Sequence, residues 1–293
     1  FRPTWFDAPL LLWCAWPLLQ SLLFIGEPRP AGAVASLFLF GTWGLTWCIG
    51  RVYCSGADGL AALARALALS GLACLPFALA EGLAGAQTYG WFFEPHPFRE
   101  DGDERYLRWR PLGFFENGNQ YGLWISLCAL VAAWLAWSRG ATDRRWRVVA
   151  WAVMAMALAA QSIGGLALAL LGGGVLWLSS RVCARHVLAG ALTAAVVVSA
   201  VYVSGVVPVA RIANETSLGR AVVGAIKSVG RRSFTWRIAQ DKRALPLATA
   251  RPLVGTGQWD WGRPQPSRPW GLAMLLLGQF GLIGVVLASS VLL

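Results

Sequence analysis

The sequence predicts an all-α polytopic membrane protein, and three observations carry that prediction. Apolar stretches near the ~20 residues needed to cross a bilayer recur along the chain. The 293 residues are 57% hydrophobic and 13% charged, with a mean hydropathy of +0.55; soluble domains carry roughly a quarter charged residues. Between the apolar stretches, arginines gather in short loops on one side, as the positive-inside bias requires.

Eight spans follow from the apolar runs, over residues 8–26, 33–50, 60–84, 119–137, 147–161, 163–180, 186–206 and 270–292. The first holds one polar residue at its centre, Gln20, and the third carries Glu81 near its outer end, a position suited to snorkelling. The fourth starts behind Asn117 and Asn119, side chains able to cap a helix or to bond a sugar. The fifth is short enough to be tilted. The sixth is rich in glycine (Gly164, Gly165, then Gly172, Gly173 and Gly174), which permits close helix packing. The seventh follows Arg185 and His186, and the eighth contains Gly281 and Gly284. The chain reads as a single integral membrane domain over 1–293, an excerpt of a longer protein cut at both ends.

Orientation follows from the short loops. Arg139, Arg144, Arg145 and Arg147 oppose Asp143 in one; Arg181 and Arg185 mark another; Arg51 and Arg65 flank a third. Alternation puts all three on the cytoplasmic side. Two long loops, 85–118 and 207–269, then lie together on the extracytoplasmic side. The second holds eleven bases, from Arg211 to Arg268, against Glu215, Asp241 and Asp260. Net charge is +11, but the bases lie between spans, so a lipid bilayer or an anionic lipid substrate is the expected partner and nucleic acid is not. Cys14, Cys48, Cys54, Cys74, Cys128 and Cys183 lie in or beside apolar segments without a CxxC pair and read as buried apolar side chains.

Within the second loop, residues 232–245 read as a short helix. At ~100° per residue, Arg232, Trp236 and Arg243 share a face and Asp241 points away; Pro246 interrupts or ends the helix. Arg251-Pro252-Leu253-Val254-Gly255-Thr256-Gly257 follows as a tight turn whose glycines let backbone N–H groups approach a ligand.

Arg110-Pro-Leu-Gly113-Phe-Phe-Glu116-Asn117-Gly-Asn119 resembles the R-x-x-G-x-x-x-x-x-N stretch of the O-antigen ligase and O-antigen polymerase family. Arg232-x-x-x-Trp236 and then Pro252-x-x-Gly255-x-Gly257 resemble that family's R-x-x-x-W…P-x-x-G-x-G segment, and Gly281-Leu282-Ile283-Gly284 its glycine-rich final matched span. The resemblance implies a polytopic helical glycosyltransferase, metal-independent and without a cofactor. It would move a glycan from undecaprenyl diphosphate, with inversion, to an acceptor glycan or glycolipid on the periplasmic face of the bacterial inner membrane. Arginine side chains suit a diphosphate leaving group because they stabilise developing charge without a metal. The implied clamp is Arg110, Arg232 and Arg237. Asn119, Trp236, Gly255 and Gly257 would bind sugar or shape the turn, and Glu116 and Asp260 are the carboxylates placed to orient or activate the acceptor hydroxyl.

The chain departs from the family where His-Asn falls on Trp270-Gly271, an acidic residue on Gln279, and Ser-Arg-Gly on Ser162-Ile163-Gly164. His96, in a Pro-His-Pro setting, reads as interfacial packing. A non-catalytic relative of the family, and a membrane transporter or flippase, are the alternative readings.

Overall fold

The structure is a computed structural model that describes residues 4–23, 29–85, 104–105, 108–115, 117–138, 144–228, 233–257, 261, 269 and 271–292. A 3-10 turn (Trp5–Asp7) leads into α1 (Ala8–Leu23). Then α2 (Arg29–Leu39), a π-turn (Phe40–Gly44) and α3 (Leu45–Tyr53) run on without a break. After α4 (Ala57–Ala73) and α5 (Leu75–Ala84) comes a two-residue antiparallel ladder, β1 (Glu104–Arg105) with β2 (Arg108–Trp109). Four helices follow: α6 (Gly118–Ser138), α7 (Arg144–Ala159), α8 (Ile163–Ser179) and α9 (Ala184–Ser204). The region expected as a long loop is itself helical, with α10 (Val209–Glu215), α11 (Ser217–Ser228) and α12 (Ser233–Ala248). The last element is α13 (Leu272–Leu292).

All eight predicted spans fall on helices, but the count of crossings changes. Among the described residues, five stretches are long and apolar enough to cross a membrane: Ala31–Tyr53, Ala57–Ala84, Gly118–Trp137, Ala184–Tyr202 and Leu272–Val291. α1 and α8 are apolar but have 16 and 17 residues. At 1.5 Å per residue α8 spans ~26 Å, the short end of the range that crosses a ~30 Å hydrocarbon core, and the residues after Leu23 of α1 lie outside the described ones. Arg144, Arg145 and Arg147 are the first charged residues of the described part of α7. The coarse reading, an α-helical membrane protein, holds; eight full-length crossings do not follow from these helices.

The chain divides into two compact units, Phe1–Val52 with Ala189–Leu293, and Tyr53–Leu188. In the second unit α6 is the central helix, and Tyr121, Ile125, Cys128, Ala129, Ala132 and Leu135 along it are all buried. Small residues set the spacing there. A Cβ at Gly71 of α4 would strike Cys128, and one at Gly165 of α8 would strike the Gly122 carbonyl of α6. In the first unit, Leu10, Trp13, Cys14 and Trp16 of α1 pack with Leu39 and with Phe280 of α13. Trp13 meets Phe280 edge-on, ring centroids 4.9 Å apart. Asp7 ties the start of α1 down: its carboxylate accepts from the Thr4 N–H at 2.7 Å and from the Trp47 indole at 2.7 Å.

Candidate functional site

In the second unit the motif from Arg110 to Asn119 forms a buried polar cradle. The β1–β2 ladder delivers Trp109 and Arg110 to the base of α6. Arg110 is 4% exposed. Its Nε donates to the Ala160 carbonyl at 2.9 Å, and one terminal nitrogen donates to Asn119 Oδ1 at 2.9 Å. Gly118 is required by this arrangement, because a Cβ there would overlap the guanidinium. Glu81 of α5 is fully buried, and its Oε2 accepts from the Leu112 and Gly113 N–H groups at 2.6 and 2.7 Å. Two backbone donors on one carboxylate oxygen are charge-assisted bonds, about twice as strong as neutral ones. Glu81 is therefore corrected from a snorkelling side chain to an inward anchor; its acceptors are worth more to the turn than to the headgroup region. Gly113 sits at φ +57°, where a side chain would be strained.

Around this turn, Asn117 Oδ1 accepts from the N–H groups of Asn119 and Gln120 at 3.1 and 3.0 Å, so Asn117 caps α6. Asn119 is instead the acceptor for Arg110. The α7–α8 turn completes the cradle. Gln161 is buried at φ +51° and Ser162 Oγ caps α8 by accepting from Gly165 N–H. Arg110 thus holds the protein together at this point, fixing the α7–α8 turn to the start of α6.

In the first unit the P-x-x-G-x-G turn and the glycine-rich span form one object. α13 is broken at Gly281, whose φ and ψ are 67° and −173°, a conformation reserved for glycine. A break inside an apolar helix orphans backbone groups on both sides, and lipid offers them nothing. Groups on both flanks find partners here. The Thr256 N–H donates to the Gly278 carbonyl at 2.8 Å and the Gly257 N–H to the Gln279 carbonyl at 3.0 Å. In return the Leu282 and Ile283 N–H groups donate to the Pro252 and Leu253 carbonyls at 2.8 and 3.2 Å. The Trp16 indole donates to the Phe280 carbonyl at 2.9 Å, and the Gln20 amide donates to the Val254 and Gln279 carbonyls. The Thr256 and Gly257 N–H groups are spent on α13, and the Gly255 N–H bonds within the turn to the Arg251 carbonyl at 2.7 Å. The glycines at 255 and 257, at φ +72° and +74°, shape the turn rather than open it to a ligand.

α12 packs beside this object through Ala244 and Ala248. Contrary to the expected stop at Pro246, the helix continues to Ala248. Pro246 lies in the last turn, on the exposed stripe with Trp236, Ala239 and Arg243. Trp236 is 47% exposed, Arg237 half-buried, and Asp241 buried at 4%. Asp241 accepts from the Tyr202 hydroxyl at 2.7 Å and from the Gly271 N–H at 3.1 Å. A carboxylate at the start of α13 also suits the helix dipole.

Glu116, Asp260 and Arg232, and with them His96 and Trp270, lie outside the described residues. The structure adds Glu81, Asp241 and Gln20 to the polar framework. Their common signal is a single polar residue in an otherwise apolar or outward-polar setting. Among the described residues no three His, Cys, Asp or Glu side chains group as a metal site. Comparison with protein-family models, curated proteins and solved structures gives no match to this chain.

Proposed function

We propose that this chain is a lipid-dependent glycan transferase of the O-antigen ligase or polymerase type, acting at the periplasmic face of a bacterial inner membrane. One observation supports the reading above the others. The four glycines Gly113, Gly255, Gly257 and Gly281, all from the resembling motifs, sit at positive φ. Those motifs therefore fall on backbone that needs glycine, and the last three share one hydrogen-bonded object. A set of chance matches would not be expected to do so.

In this reading the donor diphosphate is met by the outward side of α12 and the residues before it, through Arg232 and Arg237, with Trp236 as a stacking surface for sugar. Arg110 acts indirectly, by holding the turn that starts α6. Glu116 and Asp260 remain the carboxylates proposed to activate or orient the acceptor hydroxyl.

The test is transfer of glycan from an undecaprenyl-diphosphate donor to a panel of acceptors by the purified full-length protein. Wild type should turn over, and Arg232→Ala or Arg237→Ala should reduce turnover by about a hundredfold or more, the scale of removing one preorganised charge-stabilising donor. Donor binding without turnover in wild type would identify a fold kept for binding. Absence of both would refute the reading.

A further inference from the structure

The first unit contains an amphiphile-shaped cavity that the glycan-transfer reading does not use. Its apolar part, about 150 Å³, is lined by Val207, Val209, Ile238, Leu245 and Met274, with Tyr202 and Asp241 at one wall. A polar recess of about 470 Å³ adjoins it, lined by Asn214, Glu215, Arg211, Lys242 and Pro208. Arg211, Lys242 and Pro208 line both, so the two spaces lie side by side. The cavity lies directly behind Tyr202, the end of an apolar stretch long enough to cross a membrane.

The charges around it decide what can enter. Arg211 and Lys242 are cations; Glu215 and Asp241 are anions, so the four sum to zero. Arg211 and Glu215 already form an exposed i,i+4 pair at 2.9 Å. A diphosphate, with two or more negative charges, would meet the Glu215 carboxylate across the recess. A zwitterion fits both signs: phosphate toward Arg211 and Lys242, ammonium toward the carboxylate. The carboxylate can accept hydrogen bonds, which a primary ammonium donates and a trimethylammonium does not. An acyl chain is the natural filling for the apolar part.

The geometry points to a binding site for an aminophospholipid of the phosphatidylethanolamine class, held by Arg211, Lys242 and Glu215 with its chain against Ile238, Leu245 and Met274. The site shares α12 with the proposed donor surface but uses other side chains, Ile238, Lys242 and Leu245 in place of Trp236 and Arg237, so lipid retention and glycan turnover are read separately.

The experiment is native mass spectrometry of the full-length protein released from micelles doped with equal phosphatidylethanolamine, phosphatidylcholine and phosphatidylglycerol of identical chains. Wild type should retain one phosphatidylethanolamine per chain in preference to the others. Arg211→Gln and Lys242→Gln, both at exposed positions, should each weaken that retention about tenfold, as loss of a charge-assisted hydrogen bond would. Glu215→Gln leaves a net positive recess and should shift the preference to phosphatidylglycerol. Soluble phosphoethanolamine should not displace the lipid at matched concentration. Equal retention of the three lipids by wild type, an unchanged order in Glu215→Gln, or displacement by the chainless headgroup would each overturn the assignment.

Discussion

Gly281→Ala tests the broken helix directly. The native conformation there, φ 67° and ψ −173°, belongs to a region essentially closed to residues with a Cβ. The added Cβ would also strike the Leu253 carbonyl and the Gly255 nitrogen, both backbone atoms that cannot swing aside. The strain alone is of order 1–3 kcal/mol. Relieving it means moving residues 252–257 away from α13, which breaks inter-segment bonds that each contribute about 1 kcal/mol net. The docked state should lose ~2–4 kcal/mol relative to the opened one, or roughly 30- to 700-fold in the opening equilibrium. Hydrogen–deuterium exchange reads this at four amides: Thr256, Gly257, Leu282 and Ile283, the donors of the ladder. All four should exchange faster by that factor in the variant, while amides in α6, in the other unit, stay unchanged. A change of less than about threefold at those four amides would refute the account, since it would place the strain below the value of a single hydrogen bond.

Other perturbations follow from the same framework. Gln20→Leu removes the amide that ties α1 to the Val254 and Gln279 carbonyls, and should cost about 1–3 kcal/mol, seen as a lower detergent melting temperature and faster exchange at Gly257. Glu81→Gln leaves at best one neutral acceptor for the Leu112 and Gly113 N–H groups; it should destabilise the second unit by about 1–3 kcal/mol and expose residues 110–113 to exchange. Asp7 has its carboxyl held below the ordinary carboxylate value, first by the Thr4 backbone N–H and then by the Trp47 indole. Because the folded value is the lower one, its contribution is present above the unfolded value and is lost as pH falls through the folded value. Melting temperature should therefore drop with acid below the ordinary carboxylate range, and the Asp7→Asn variant should lack that component of the drop.

The helical class and the position of each apolar helix were legible in the sequence because burial in lipid leaves a continuous apolar run. Crossing number was less legible: α8 is apolar enough to look like a span, yet its 17 residues stand at the short end of the range that crosses a bilayer. The motif turns were legible as turns, since glycine pairs and Pro252 mark them. What they bind to was not. A tight turn with free N–H groups and one whose N–H groups serve a helix 25 residues away have the same local sequence; the difference lies in Gly281, which periodicity reads as an ordinary helical glycine. Glu81 was misplaced for a related reason: an acidic residue near a helix end has two ways to satisfy its charge, and only the partners at Leu112 and Gly113 choose between them.

Three buried side chains of the apolar helices, Trp16, Gln20 and Glu81, share one task, which bears on the choice between transfer and translocation. Trp16 and Gln20 on α1 and Glu81 on α5 each bond backbone groups where the chain leaves regular helix. A translocation path needs polar groups inside the membrane that can turn to a passing substrate. Gln20 does not meet that need: releasing its amide would strip the Gln279 carbonyl of one donor and leave Val254 to water that the apolar surroundings exclude. Glu81 would have to give up two charge-assisted bonds at once. Each of these groups is committed to the packing of its own unit. In the proposed function, the exposed stripe of α12 with Trp236 and Arg243 is the outward surface of the arginine-rich segment. The exposed stripe of α12 supports the proposed transferase, which would meet its lipid-linked donor at the membrane surface.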